Sequence, residues 1–163
     1  MENLWAPWRA AYILGPKEKE CIFCSRLKQK KDRENLILYR GKKSFIIMNR
    51  YPYNSGHLMV APYSHKACLE ELTKGEYTEM FELLTLSSRL LTTAMPADGL
   101  NIGINLGEAA GSSIRDHLHI HIVPRFMGDT NFMPAIGFTK IQSFDLYQIY
   151  DALKKNLKKL LKK

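Results

Sequence analysis

Residues 117–123 read His-Leu-His-Ile-His-Ile-Val, and no other stretch limits the possible folds of this chain as tightly. Apolar residues at every second position mark a strand with one face turned to a core. Successive strand side chains point to opposite faces, and residues two apart stand roughly 6.5 to 7 Å from each other on the same side. Leu118, Ile120 and Ile122 therefore line the core face, while His117, His119 and His121 form a row on the other. Solvent faces are ordinarily built from lysine, glutamate or threonine, so three of the chain's five histidines in one row mark a site.

Imidazoles in a row could bind a transition metal, move protons or attack an electrophile. A single ion needs each nitrogen within about 2 Å, whereas the outer two members of the row lie roughly 13 Å apart. One ion cannot take all three, and the members divide the work. Just ahead of them Gly103, Gly107 and Gly111, with Ser112 and Ser113, make a loop rich in backbone N–H groups and hydroxyls. Such loops cradle phosphate oxygens, and phosphorus is an electrophile that a neutral imidazole can attack.

The rest of the pattern predicts an α+β fold. Short β-type runs at 35–40, 44–49, 57–62 and 100–107 are separated by turn chemistry such as RGKK and RYPYNSG, which predicts an antiparallel sheet of about five strands. Thr73 and Glu76 resemble a capping box opening a helix over 74–94, with Tyr77, Met80, Phe81, Leu84 and Leu91 on its apolar face and Pro96 beyond its end. From residue 143 a second helix places Leu146, Tyr150, Leu153, Leu157, Leu160 and Leu161 at three- and four-residue steps beside a lysine face. Residues 1–20 read as an arm whose tryptophans, Trp5 and Trp8, dock onto the body or a second subunit. The length predicts a single domain over 1–163.

The formal charge of +8 suggests nucleic acid, but residues 152–163 hold six lysines and no acid, so the excess is local and reads as a solvated outer helix. No apolar run approaches the roughly 20 residues that span a bilayer, and residues 1–9 lack the apolar stretch of a signal peptide. The expected location is the cytoplasm, with no membrane partner and nucleic acid an unlikely one. Of three cysteines, Cys68 reads as a small buried hydrophobe. Cys21 and Cys24, two residues between them, are either half of a metal site or a redox pair. No thioredoxin-like βαβ unit surrounds them.

The residues at 117–123 resemble the signature of the histidine triad (HIT) family, His-φ-His-φ-His-φ-φ with φ apolar. The resemblance extends to NRYPYNSGHLMVAPYSH at 49–65, NIGINLGEAAG at 101–111, VPRFMGDTNFM at 123–133 and LWAPWRAAYI at 4–13, and covers about residues 1–135. It is nearest to the branch of diadenosine polyphosphate phosphorylases and hydrolases. The common family pattern sets Gly-Gln-x-φ-x before the triad. Here Gly111-Ser-Ser-Ile-Arg-Asp stands there, with one extra residue and no glutamine.

The resemblance implies that His119 is the nucleophile on an α-phosphorus, that His121 contacts phosphate and assists the leaving group, and that His57 orients the nucleophile or nearby phosphate. Asn49 would contact ribose; Asn105, Ser112 and Ser113 would contact phosphate. Cys21, Cys24, His65 and His117 match the ligands of zinc-containing members, which makes the zinc structural and leaves the reaction without a catalytic metal. The implied activity is cleavage of a dinucleoside polyphosphate, diadenosine tetraphosphate above all, through a nucleotidyl-histidine, with water or inorganic phosphate as acceptor. Alternatives are a nucleoside phosphoramidase and a zinc-stabilised nucleotide or RNA binding module. A homodimer joining two sheets is the implied assembly.

Overall fold

The computed structural model describes residues 20–111, 114–129 and 145–162. The tryptophan-bearing arm, Ser112 and Ser113, and the segment 130–144 lie outside the described residues. Five strands, β1 (Ile37–Arg40), β2 (Ser44–Met48), β3 (Leu58–Pro62), β4 (Gly99–Ile104) and β5 (Ile120–Arg125), form one antiparallel sheet. Among the described residues three α-helices accompany it: α1 (Ile22–Lys28), α2 (Lys74–Ala94) and α3 (Leu146–Leu160). The strand order is β1-β2-β3-β5-β4, so β1 to β3 run as a meander and the histidine strand β5 is inserted between β3 and β4. Its flanking pairs are Met59 with His121 on one side and Gly103 with His121 on the other. β2 and β3 are buried at every position, which is why they read as continuous apolar runs instead of alternating ones.

Helix α2 opens with the expected capping box: the Glu76 N–H donates to Thr73 Oγ1 at 3.3 Å, and Glu76 Oε2 accepts from the Thr73 N–H at 2.8 Å. Its buried face overlaps the expected one: Met80 and Leu91 are buried and Leu84 packs against the core, joined by Leu83, Ser87 and Leu90, whereas Tyr77 and Phe81 are 48% and 44% exposed and lie against each other with centroids 4.9 Å apart. Apolar residues occupy two adjacent stripes, and the sheet takes the stripe where small Ser87, its hydroxyl donated to the Leu83 carbonyl, sits buried at the contact. Helix α3 starts behind Asp145, whose Oδ1 accepts from the N–H groups of Tyr147 and Gln148 at 2.9 and 3.2 Å. It buries Ile149, Tyr150, Leu153 and Leu157 against α2 and β1, with Leu161 left exposed, and ties to β1 by the Tyr150 hydroxyl on the Ile37 carbonyl and Lys154 Nζ on the Leu38 carbonyl.

Three other expectations are corrected. β1 begins at Ile37, because Leu36 takes a left-handed φ of 62° and a register shift follows at Ile37/Tyr39. That geometry costs a leucine about 1 kcal/mol or more, which complete burial of its side chain offsets. β5 begins at Ile120, so His117 and His119 precede the strand instead of lying in it. The β3–β5 ladder stops at Val60 with Ile120, and the Leu118 N–H turns to the Lys66 carbonyl at 2.6 Å. Cys68, expected in the core, is exposed at the start of a short 3-10 turn, Leu69–Glu71.

Candidate active site and metal centre

The four residues Cys21, Cys24, His65 and His117 come from three separate stretches of chain. Cys21 caps α1 and Cys24 lies in its first turn, a three-residue step that brings both thiols to one side of the helix. His65 follows β3, and His117 precedes β5. His117 Nδ1 lies 3.4 Å from Cys21 Sγ and 3.6 Å from Cys24 Sγ, while His65 Nδ1 lies 3.5 Å from Cys24 Sγ. All four potential ligand atoms fall within 4.8 Å of one another. A tetrahedral ion with sulfur at about 2.3 Å and nitrogen at about 2.0 Å needs sulfur-to-nitrogen edges of roughly 3.6 Å, so the cluster has the size and donor set of a closed zinc site.

A backbone carbonyl fixes which nitrogen of His117 is free. Pro62 O can only accept, so the 2.9 Å contact to His117 Nε2 places the ring proton there and leaves the Nδ1 lone pair facing the thiols. The same logic applies to His119. Its Nδ1 lies 2.9 Å from the His117 carbonyl, so Nδ1 carries the proton and Nε2 carries the lone pair, the arrangement a nucleophile requires.

His57 and His121 form the other half. His57 Nδ1 accepts from the Tyr53 N–H at 3.2 Å and from Asn49 Nδ2 at 3.3 Å; the Asn49 amide is oriented by the Tyr51 N–H on its Oδ1 at 2.9 Å. The His57 proton therefore sits on Nε2, which donates to His121 Nδ1 at 3.0 Å. His121 is left with its own proton on Nε2. The ring of His121 stands 4.7 Å from that of His119, so a lone pair and a proton donor are presented side by side.

Burial keeps these rings neutral. His57 is wholly buried and pushed down to about 3, by desolvation first and then by His121 and His119; His121 is pushed down to about 4 by desolvation and then by His119. Desolvation also lowers His117 and His119. Phe23 supplies part of the apolar wall, its ring meeting His117 and His119 edge-on at 5.1 and 5.3 Å. In the other half Tyr53 lies over His57 at 4.8 Å with 45% of its surface exposed.

The structure thus brings seven of the residues singled out in the sequence into two adjoining clusters. Asn49 joins the second through His57. Asn105 is half-buried and directly follows β4, whose last pair is Ile104 with Ile120. Ser112 and Ser113 fall outside the described residues. Sequence reasoning missed Phe23, Tyr53 and the Pro62 carbonyl. Phe23 was discoverable, since a residue between two cysteine ligands is carried to the same place; a backbone carbonyl or N–H leaves no signal.

Comparisons with known proteins agree with this arrangement. A profile of the HIT domain matches residues 30–128. The AP-4-A phosphorylase of Mycobacterium tuberculosis is 38% identical over 149 residues, spanning 86% of this chain and 76% of that protein. A Zn-bound histidine triad family protein from Mycobacterium smegmatis superposes with a TM-score of 0.71 at 26% identity, over 88% of this chain and 96% of that one. A hypothetical histidine triad nucleotide-binding protein from Sulfolobus tokodaii gives 0.70 at 28% identity, over 86% and 93%. With the profile covering more than half its length and a relative this similar along most of it, the chain belongs to the HIT domain family.

Proposed function

We propose that the protein cleaves dinucleoside polyphosphates, diadenosine tetraphosphate among them, by moving a nucleotidyl group onto His119. The observation that carries this reading is the 2.9 Å bond from His119 Nδ1–H to the His117 carbonyl, which leaves Nε2 as a lone-pair donor beside the proton on His121. Nε2 attacks the α-phosphorus, the bond to the bridging oxygen breaks, and that oxygen leaves as a phosphate anion that accepts a hydrogen bond from His121 Nε2–H. The acceptor then attacks the same phosphorus and releases His119 as a neutral imidazole, and where the acceptor is water its proton passes to solvent. Asn49 at the ribose, with Asn105, Ser112 and Ser113 at the phosphate oxygens, would supply the fixed donors that developing charge requires. Similarity to the phosphorylase of M. tuberculosis favours inorganic phosphate over water as the acceptor.

The four-residue cluster fits a structural zinc, held by Cys21, Cys24, His65 and His117; all four positions are filled by protein, which leaves none for a reactant. A bound ion would supply cross-linking of α1, the loop after β3 and the approach to β5, and it has no part in the steps above. Thiol ligands suit the reducing cytoplasm, and no helix among the described residues is long and apolar enough to cross a membrane. Edge strand β4, with Ile102 half exposed, is the surface through which two copies would join their sheets, a homodimer that analytical ultracentrifugation would show as twice the chain mass.

Incubation with diadenosine tetraphosphate, with and without inorganic phosphate, tests the reading. ADP plus ATP, formed only with phosphate, is the expected outcome; AMP plus ATP makes water the acceptor. No cleavage under either condition, with turnover of a nucleoside phosphoramidate instead, overturns it.

A further inference from the structure

Asn54 lies in the turn between β2 and β3 and is 6% exposed, yet no step above uses it. Its Nδ2 donates twice, to the Pro124 carbonyl at 2.9 Å and to Asp129 Oδ2 at 2.8 Å. Pro124 sits on β5 three residues beyond His121, so the turn is fastened to the strand that carries the proton donor. The Asn54 carbonyl accepts from the His57 N–H at 3.1 Å, and the neighbouring Tyr53 N–H is the one that reaches His57 Nδ1. Asp129 is held in turn by Arg125, through Nε at 2.7 Å and Nη2 at 2.9 Å, and by the Phe126 N–H at 3.2 Å. Gly56 in the same turn has a φ of 85°, and a Cβ there would run into Met95 Sδ.

We propose that Asn54 and Asp129 are positioning residues that set the tautomer of His57 and, through it, the proton that His121 presents to the leaving group. This rests on the nucleotidyl-transfer reading above. Two acceptors, a carbonyl and a carboxylate, face one atom, and an amide nitrogen carries the two hydrogens that satisfy both. An aspartate at 54 would aim lone pairs at both and push the turn away. Tyr53 N–H would then leave His57 Nδ1, with only the longer contact from Asn49 Nδ2 still holding the tautomer, and a share of His57 would carry its proton on Nδ1 and turn the Nε2 lone pair toward His121. Two lone pairs cannot face each other across 3.0 Å, so His121 would move its proton to Nδ1 as well. Its Nε2 would then turn a lone pair, in place of a donor, toward the departing anionic oxygen.

Side-chain nitrogen NMR on the full-length, zinc-loaded protein at neutral pH reads the tautomers without substrate. The expected result is Nε2-protonated His57 and His121 in the unaltered protein, and a substantial Nδ1-protonated share of both in Asn54→Asp. Asp129→Asn, which keeps an acceptor for Asn54 but loses the Arg125 pairing, shifts them in the same direction by less, and decides alone if Asn54→Asp does not fold. In turnover, kcat on diadenosine tetraphosphate falls roughly 10- to 100-fold in Asn54→Asp with little change in KM. Unchanged tautomers in both variants overturn the proposal. Failure of the unaltered protein on diadenosine tetraphosphate would sink the transfer reading instead, and the ring nitrogens would still decide the positioning role.

Discussion

His117 and His121 lie four residues apart in one short motif, and the fold sets them in opposite surroundings. On the His117 side, lone pairs and thiols converge: every potential ligand atom lies within 4.8 Å of the others, and the cluster is complete only around a cation. On the His121 side, each lone pair is already met by a proton, from the Tyr53 N–H through His57 to His121 Nδ1, and the cluster is complete without one. The two halves are built from the same side chain. They differ in what lies behind each ring, a carbonyl at Nε2 of His117 and a donor at Nδ1 of His57, and that partner decides which nitrogen of the imidazole holds the proton.

The largest expected effect separates the halves outright. His119→Ala should lower turnover by about four orders of magnitude or more while the protein still binds one zinc per chain, checked by steady-state kinetics beside metal analysis. Turnover that survives would remove the reactive half from the account. Cys24→Ala should do the reverse, costing more than about 4 kcal/mol of stability, as should strong chelation of the native protein. Thermal unfolding that is indifferent to chelator would dissolve the metal half.

Acid should act on the reactive half. His57 and His121 fold with values of about 3 and 4, below the ordinary 6.5, so the unfolded chain takes up more protons between those limits. Stability should be level above about pH 6.5 and decline as pH falls toward 4. Urea titrations of the zinc-loaded protein would show this, and His57→Gln should flatten the slope; an unchanged slope would mean that other groups set it. The smallest effect belongs to the junction. Phe23 touches both His117 and His119, and Phe23→Leu should cost about 1 kcal/mol with a modest loss of both kcat and zinc affinity. A change in one property alone would show that the wall serves a single half.

Much of this was legible along the chain. The alternation at 117–123, the meander and the capping box are local patterns, and local patterns survive without knowledge of the fold. What failed had non-local causes. Tyr77 and Phe81 satisfied a helical face as well as Leu83 and Leu90 did, and only the sheet chose between the two stripes. Leu36 looked like strand until its backbone turned left-handed, and Cys68 looked like core until the chain left it on the surface.

The sequence by itself determined which side chains would gather, because the short spacings within 117–121 and from Cys21 to Cys24 bind identity to geometry over a few residues. Tertiary structure alone decided which nitrogen of each ring carries the proton. That choice belongs to hydrogen-bond partners such as the Pro62 carbonyl, 55 residues from His117, and a backbone group has no letter of its own in the sequence.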